Sequence, residues 1–472
     1  MPTDRFTQTT RNRTGNSLKG AAQYLKQPGM ISLGGGLPSS EYFPFDEISI
    51  RVPATGHFSE QATHDAGTLL SAGKFDLEQG KSAYDIKVAL NYGQGTGSAQ
   101  LTRFVVEHTE LVHDPPYRDW TCALTVGSTS AMDMVQRMFC EQGEYVLTES
   151  YSFAAAVEAF RQNGSRVLGV DMDEEGMLPD ALDALLTGWD VVARGAGKPF
   201  LVYTVPSGQN PTGATQSLSR RKALYRVAQK HDLILLEDEP YYFLQMPVYT
   251  ADSCSADSPV ATTHEQFLSS LIPSLLSLDT DGRVIRIDSF SKVIAPGSRC
   301  GWLTASSQII ERYGKHADLS TSGPSGMTQL ILFKLLDEHW GHAGYLDWLM
   351  HLRNEYTRRR GVMLGACETH LPRAVVAWRA PMAGMFHWLE VRVDKHPLFG
   401  RKSVEEIEER VFQASIAKGA LVMKGSWFYA DNETVHGTMF FRATFAAAPF
   451  EMIDEGIRRF GEALREEFGL TD

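Results

Sequence analysis

Cysteine is scarce in this chain of 472 residues, with five in all: Cys122, Cys140, Cys254, Cys300 and Cys367. They are scattered, odd in number and form no C-x-x-C pair, which excludes a disulfide framework and leaves a structural zinc site without ligands. The histidines show no metal-ligand spacing either, so no metal is expected. A basic surplus is also missing: 45 Lys and Arg stand against 57 Asp and Glu, a formal net charge of −12. Nucleic acid and anionic membrane surfaces, which are gripped by clustered cations, are thereby excluded as main partners. No run of 18 uncharged apolar residues occurs, so no membrane-spanning helix is expected. The first 14 residues lack the apolar core of a secretory leader. Arg5, Arg11 and Arg13 among threonines faintly suggest a mitochondrial leader, against which Asp4 and the missing apolar face count. With few cysteines, a cytoplasmic location is the expectation.

Two nucleotide motifs fail as well. Gly93-x-Gly95-x-Gly97 has Ser98 where a dinucleotide fingerprint wants its spacing completed, and no strand precedes it. Gly80-Lys81-Ser82 has Phe75 where a phosphate loop needs its first glycine.

What is present is an α/β pattern. Short β-rich runs over 120–126, 144–148, 166–170, 198–204, 233–237, 283–288 and 301–304 alternate with helical stretches over 130–141, 152–163 and 218–231. Such alternation predicts a largely parallel sheet, whose ligands bind in the loops beyond the carboxyl ends of its strands. Residues 185–197 and 250–277 are rich in Gly, or in Ser, Thr and Asp, and are expected to be surface insertions. A helical stretch over 345–368 leads into strands over 384–391, 420–423 and 439–445 and a closing helix over 452–468. The expected organisation is an N-terminal arm over 1–60, a large α/β domain over 61–340 and a small α+β domain over 341–472.

Chemistry gathers at the strand ends. Asp288-Ser289-Phe290-Ser291-Lys292 is followed by Ala295-Pro296-Gly297-Ser298-Arg299-Cys300-Gly301. This set suits an aldehyde cofactor bearing a phosphate: Lys292 for a Schiff base, Ser289, Ser291 and Arg299 for the phosphate. A solvated Lys in a Ser-rich turn is the alternative. Asn210-Pro211-Thr212-Gly213 follows a strand and offers an amide to a phenolate-like oxygen, or serves only as a turn. Glu237-Asp238-Glu239-Pro240-Tyr241 ends an apolar run. A carboxylate there can keep a pyridine nitrogen protonated, or cap a helix. Val126-Gly127-Ser128-Thr129-Ser130-Ala131 joins strand to helix and suits an anion at the helix N-terminus. Tyr151 follows a strand and can stack on a flat ring or fill the core. Arg442, inside the aromatic run Phe440-Phe441-Arg442-Ala443-Thr444-Phe445, needs a partner: a substrate carboxylate or an internal acid.

The ordered series GSTSA, ESY, NPTG, EDEPYY, SFSK, PGSRCGW and FRATF resembles a class I, fold-type I pyridoxal-phosphate aminotransferase from Gly34 to Phe445. Met30-Ile31-Ser32-Leu33-Gly34-Gly35-Gly36-Leu37-Pro38 and Asn91-Tyr92-Gly93-Gln94-Gly95-Thr96-Gly97 are similar to the kynurenine/2-aminoadipate aminotransferases and their fungal relatives acting on aromatic amino acids.

The resemblance implies pyridoxal 5'-phosphate as cofactor and ping-pong transamination through an aldimine on Lys292. The amino donor would be aromatic, kynurenine or 2-aminoadipate, and the acceptor a 2-oxo acid such as 2-oxoglutarate. It implies that Asp238 pairs with the ring nitrogen, Asn210 and Tyr241 with the ring oxygen, and that Tyr151 stacks. Ser128, Thr129, Ser289, Ser291 and Arg299 would hold the phosphate, with Tyr92 reaching across from the second subunit of a homodimer. Gly36, Asn210 and Arg442 would bind the substrate carboxylate. The same cofactor residues fit a lyase or synthase on this fold. An aminotransferase-like regulator fits less well, since its DNA-binding module would need about a hundred residues ahead of the domain.

Overall fold

The computed structural model describes residues 5–15, 24, 27–31, 33–34, 36–249, 263–431 and 437–470. Among these the strands are, in chain order, β1 Glu47–Val52, β2 Thr68–Gly73, β3 Trp120–Thr125, β4 Tyr145–Glu149, β5 Arg166–Val170, β6 Met172–Asp173, β7 Gly176–Met177, β8 Leu201–Thr204, β9 Ile234–Asp238, β10 Val284–Ser289, β11 Gly301–Ser306, β12 Val376–Trp378, β13 Phe386–Val391, β14 Met423–Lys424 and β15 Met439–Thr444. The runs expected to be buried on both faces are so: every residue of β8, β9, β10 and β11 is buried. That double burial is what parallel-type sheets covered by helices require.

The chain divides into two compact units. The first comprises Met1–Gln142, Asp232–Pro240 and Pro273–His351; the second comprises Gly143–His231, Tyr241–Ile272 and Leu352–Asp472. Each unit holds a run of sheet strands. Those of the first unit adjoin in the order β3-β11-β10-β9, and those of the second in the order β8-β4-β5. β9 runs parallel to β10, and β4 parallel to both β5 and β8, while β11 is antiparallel to its two neighbours. The second unit also holds the antiparallel sheet β12-β13-β15-β14.

Within the first unit β1 and β2 pair antiparallel. Ala72 of β2 packs with Tyr84, Ile86, Ala89, Leu330 and Phe333 in a separate apolar cluster. The first 60 residues, expected as an arm, thus include one strand of a hairpin.

Two expectations change in detail, and a third holds. The helix after β3 spans Gly127–Phe139, three residues earlier than the sequence suggests, because Gly127 takes a positive φ of 78° and turns the chain at once. Residues 185–197 do lie largely at the surface, with Leu186 buried at the end of helix Pro179–Thr187 and the Trp189 indole donating to Ala196 O at 3.1 Å. Of 250–277, residues 250–262 lie outside the described residues. The remainder folds into helix His264–Ser269 and a buried stretch with Leu271, Ser274, Leu275 and Leu276, because its leucines outweigh the serines.

Candidate active site

In the first unit, β10 ends at Ser289 and the chain turns sharply beyond it. Ser289 Oγ donates to Ser291 Oγ at 2.9 Å and accepts from Ser291 N at 3.1 Å, which closes the turn that presents Lys292. Lys292 is half-buried. Arg299 follows the short helix Pro296–Ser298 with a positive φ of 44°. Its Nη1 donates to Pro296 O at 2.7 Å and lies 3.4 Å from Ser291 Oγ. A Cβ on Gly127 would collide with Arg299 Nη2, so the guanidinium lies in the space a side chain would fill at the start of helix Gly127–Phe139. Ser128 and Thr129 are the next residues of that helix, half-buried and exposed respectively.

A guanidinium, the hydroxyls of Ser289 and Ser291 and a thirteen-residue helix N-terminus therefore meet at one place. That donor set fits a phosphate dianion: it combines charge-assisted hydrogen bonds with the positive end of the helix dipole. Asp238 ends β9 opposite Ile287 and is only 4% exposed. A carboxylate at such a depth is suited to holding a proton on a ring nitrogen. Gly36 and Tyr92, both exposed, stand apart from this set; nothing comes within 4 Å of a Cβ built on Gly36, and Tyr92 is 76% exposed. Gly35 and Ser32 lie outside the described residues.

In the second unit, Asn210 and Arg442 meet: Arg442 Nη1 donates to Asn210 Oδ1 at 2.7 Å. The guanidinium carbon lies 4.4 Å from the Phe386 ring centroid and 4.6 Å from that of Phe428. Among the described residues no carboxylate pairs with it. Burial pulls its pKa down, and the Tyr241 phenol acts in the opposite direction. An arginine so placed, held by two ring faces with donors to spare, is arranged to take a planar carboxylate.

Tyr241 packs edge-on to Phe386. Tyr151 sits among Trp388, Tyr429 and Phe440, each at 5.4 Å between centroids, and burial raises the pKa of its phenol. The Gln209 amide nitrogen donates to Tyr151 O at 2.6 Å, and its oxygen accepts from Thr212 N and Oγ1, tying Tyr151 to the Asn210 loop. Gln209, Phe386, Phe428 and the space at Gly127 were not foreseen. Only Gly127 carried a signal, as the glycine opening a strand-to-helix turn.

Residues 67–460 match the family described as aminotransferase class I and II. The chain belongs to that family. An aromatic amino acid aminotransferase of Schizosaccharomyces pombe is 44% identical over 440 residues, covering 93% of this chain and 92% of the relative. Aminotransferase Aro8 from Candida albicans superposes with a TM-score of 0.93 at 37% identity, covering 100% of this chain and 99% of that one. A kynurenine aminotransferase of Pyrococcus horikoshii, solved in complex with PMP, gives a TM-score of 0.68 at 26% identity, with 98% of each chain covered. This aminotransferase therefore has the type I fold, depends on pyridoxal 5'-phosphate and transfers amino groups between amino and 2-oxo acids. Among the described residues of the aminotransferase no helix is long and apolar enough to cross a membrane, and no His, Cys, Asp and Glu cluster suits a metal ion.

Proposed function

We propose that this aminotransferase acts on aromatic L-amino acids, with kynurenine and 2-aminoadipate as further donors and 2-oxoglutarate or another 2-oxo acid as acceptor. The observation that carries the substrate half is Arg442: a guanidinium without an internal carboxylate among the described residues, lying against Phe386 and Phe428. The aromatic group of Tyr151, Trp388, Tyr429 and Phe440 in the same unit favours flat side chains. The names of the fungal and archaeal relatives point the same way.

When bound, pyridoxal phosphate supplies an aldehyde that takes up the amino group and a ring that receives the electron pair of the Cα–H bond. Lys292 Nζ would hold the cofactor and is the group that would take up and return the substrate Cα proton. Asp238 would keep the proton on the ring nitrogen, Asn210 and Tyr241 would hold the ring oxygen, and Tyr151 would stack on the ring. Ser128, Thr129, Ser289, Ser291 and Arg299 bind the phosphate. Arg442, Asn210 and the Gly36 backbone bind the α-carboxylate.

A homodimer belongs to this reading, with Tyr92 reaching the phosphate of the second subunit; its 76% exposure leaves it available. So do a cytoplasmic location, in keeping with cysteines that are free where described, and a division into arm (1–60), large domain (61–340) and small domain (341–472).

A donor–acceptor panel on purified protein, with Lys292→Ala alongside, tests the reading. The expected result is aromatic 2-oxo acid and glutamate in equal amounts, with no turnover and no lysine-dependent yellow band in the variant. A variant that keeps both the band and the turnover overturns the role of Lys292. Oxo acid released without an aminated acceptor overturns amino transfer in favour of lyase chemistry.

A further inference from the structure

Glu237, Asp238, Glu239 and Asp288 are all buried, with 0, 4, 2 and 2% exposure. Four carboxylates so placed need a compensating charge, because isolated buried anions are costly. Arg286, with 0% exposure, provides it for two of them, Asp288 and Glu237. Its Nε and Nη2 donate to the two oxygens of Asp288 at 2.7 and 2.8 Å, and its Nη1 lies 3.3 Å from Glu237 Oε1. Glu237 is held in turn, accepting from Leu275 N at 2.8 Å and Leu276 N at 3.2 Å.

Register gives this cluster its meaning. On the parallel pair β9 and β10, Arg286 stands opposite Glu237, and Ile287 opposite Asp238. Side chains alternate between faces along a strand. Arg286, Asp288 and Glu237 therefore share one face, and Asp238, Ile287 and Ser289 share the other. Asp288 directly precedes the serine that opens the Ser289–Lys292 turn, and Glu237 directly precedes Asp238. The guanidinium thus grips both strand ends from the back of the sheet, one residue behind each group on the front.

We propose that Arg286 is a positioning residue for the cofactor: by clamping Asp288 and Glu237 it sets the separation of Asp238 from the Ser289–Lys292 turn. The inference rests on the roles given above to Asp238 and Lys292. A cluster of buried ions is a poor source of stability compared with apolar packing, so its use here is geometric. Lysine cannot replace the arginine, since a point charge on a flexible stem does not reproduce the two-pronged hydrogen bond to Asp288 together with the ion pair to Glu237.

Two variants test this on the full-length protein. Arg286→Lys keeps the charge and loses the fork. Arg286→Met combined with Glu237→Gln and Asp288→Asn removes all three charges of the clamp, so that none of its members is left as an unpaired ion. Apoprotein is titrated with pyridoxal phosphate, and the pH midpoint of the bound cofactor's visible band is measured, with the thermal midpoint of the apoprotein as control. The expected result is a dissociation constant raised about tenfold or more in both variants, the loss that a missing outer support commonly brings. A moved band midpoint should accompany it, with an apoprotein in the triple variant that melts close to the parent. Wild-type affinity together with an unmoved midpoint in folded Arg286→Lys overturns the proposal and leaves the clamp purely structural. Failure of the Lys292 reading is told apart, because it shows in Lys292→Ala whatever Arg286 does.

Discussion

Arg442 owes its place to aromatic faces and a single amide oxygen rather than to an acid. On the proposed reading a carboxylate arriving there would form two charge-assisted hydrogen bonds, each contributing about 1.5–3 kcal/mol. Arg442→Met should therefore raise KM for both the amino acid and the oxo acid by about two orders of magnitude. Cofactor binding should be left intact, as steady-state kinetics beside a cofactor titration will read. Gly127 makes the opposite split. A side chain there meets the Arg299 guanidinium and must also adopt a φ of 78°. Gly127→Ala should weaken pyridoxal-phosphate binding by about tenfold or more, one tenfold being about 1.4 kcal/mol. The check is the phosphate dependence of apoprotein reconstitution.

At the scale of elements, the site depends on close backbone contact between β10 and β11. A Cβ on Gly301 would run into Asp288 O and crowd Ser289 Cα, so only glycine lets β11 lie against the strand that leads into the Lys292 turn. Elements far from the strand ends behave differently. Helix Val404–Ala417 opens with a capping box in which Ser403 Oγ accepts from Glu406 N and the Glu406 carboxylate accepts from Ser403 N. Ser403→Ala should cost about 1 kcal/mol of stability. A lower midpoint in denaturant with unchanged kcat/KM is the expected outcome, and lost activity would mean that this helix does more than support its unit.

For the whole molecule, acid is the condition to which the buried histidines respond. His387 of β13 is wholly buried beside Trp378, and neither ring nitrogen has a hydrogen-bond partner among the described residues. Burial lowers its pKa to about 3, as it does for His108. Both are depressed from the 6.5 expected in the unfolded chain, so each contributes stability above pH 6.5 that is lost as pH falls from there toward 3. Buried Glu149 has the opposite sign: burial raises its pKa, and its contribution declines as pH rises through its folded value. Comparing His387→Phe with the parent isolates the imidazole. The variant should show a flatter fall in unfolding free energy between pH 6.5 and 4, and identical slopes would contradict the assignment.

Much of the candidate site was legible because its signals are local. Gly127, Pro296 and Gly297 mark turns by their own backbone chemistry, and Ser289, Ser291 and Lys292 follow a strand recognisable from its apolar run. The order of such motifs along the chain was enough to indicate the family and the fold. Packing partners were not legible, because they come from strands far apart in sequence. Arg286 in Val-Ile-Arg-Ile-Asp-Ser and Arg442 in Phe-Phe-Arg-Ala-Thr-Phe look alike, each a single cation inside a buried-looking strand. Register on neighbouring strands sets Arg286 against Glu237 and pairs it with Asp288, whereas Arg442 meets ring faces and an amide. The sequence by itself set each arginine inside an apolar run. Only the tertiary structure decided which is paired with carboxylates and which lies against ring faces and an amide, since a charge is satisfied by whatever lies within a few ångströms of it, however far away along the chain.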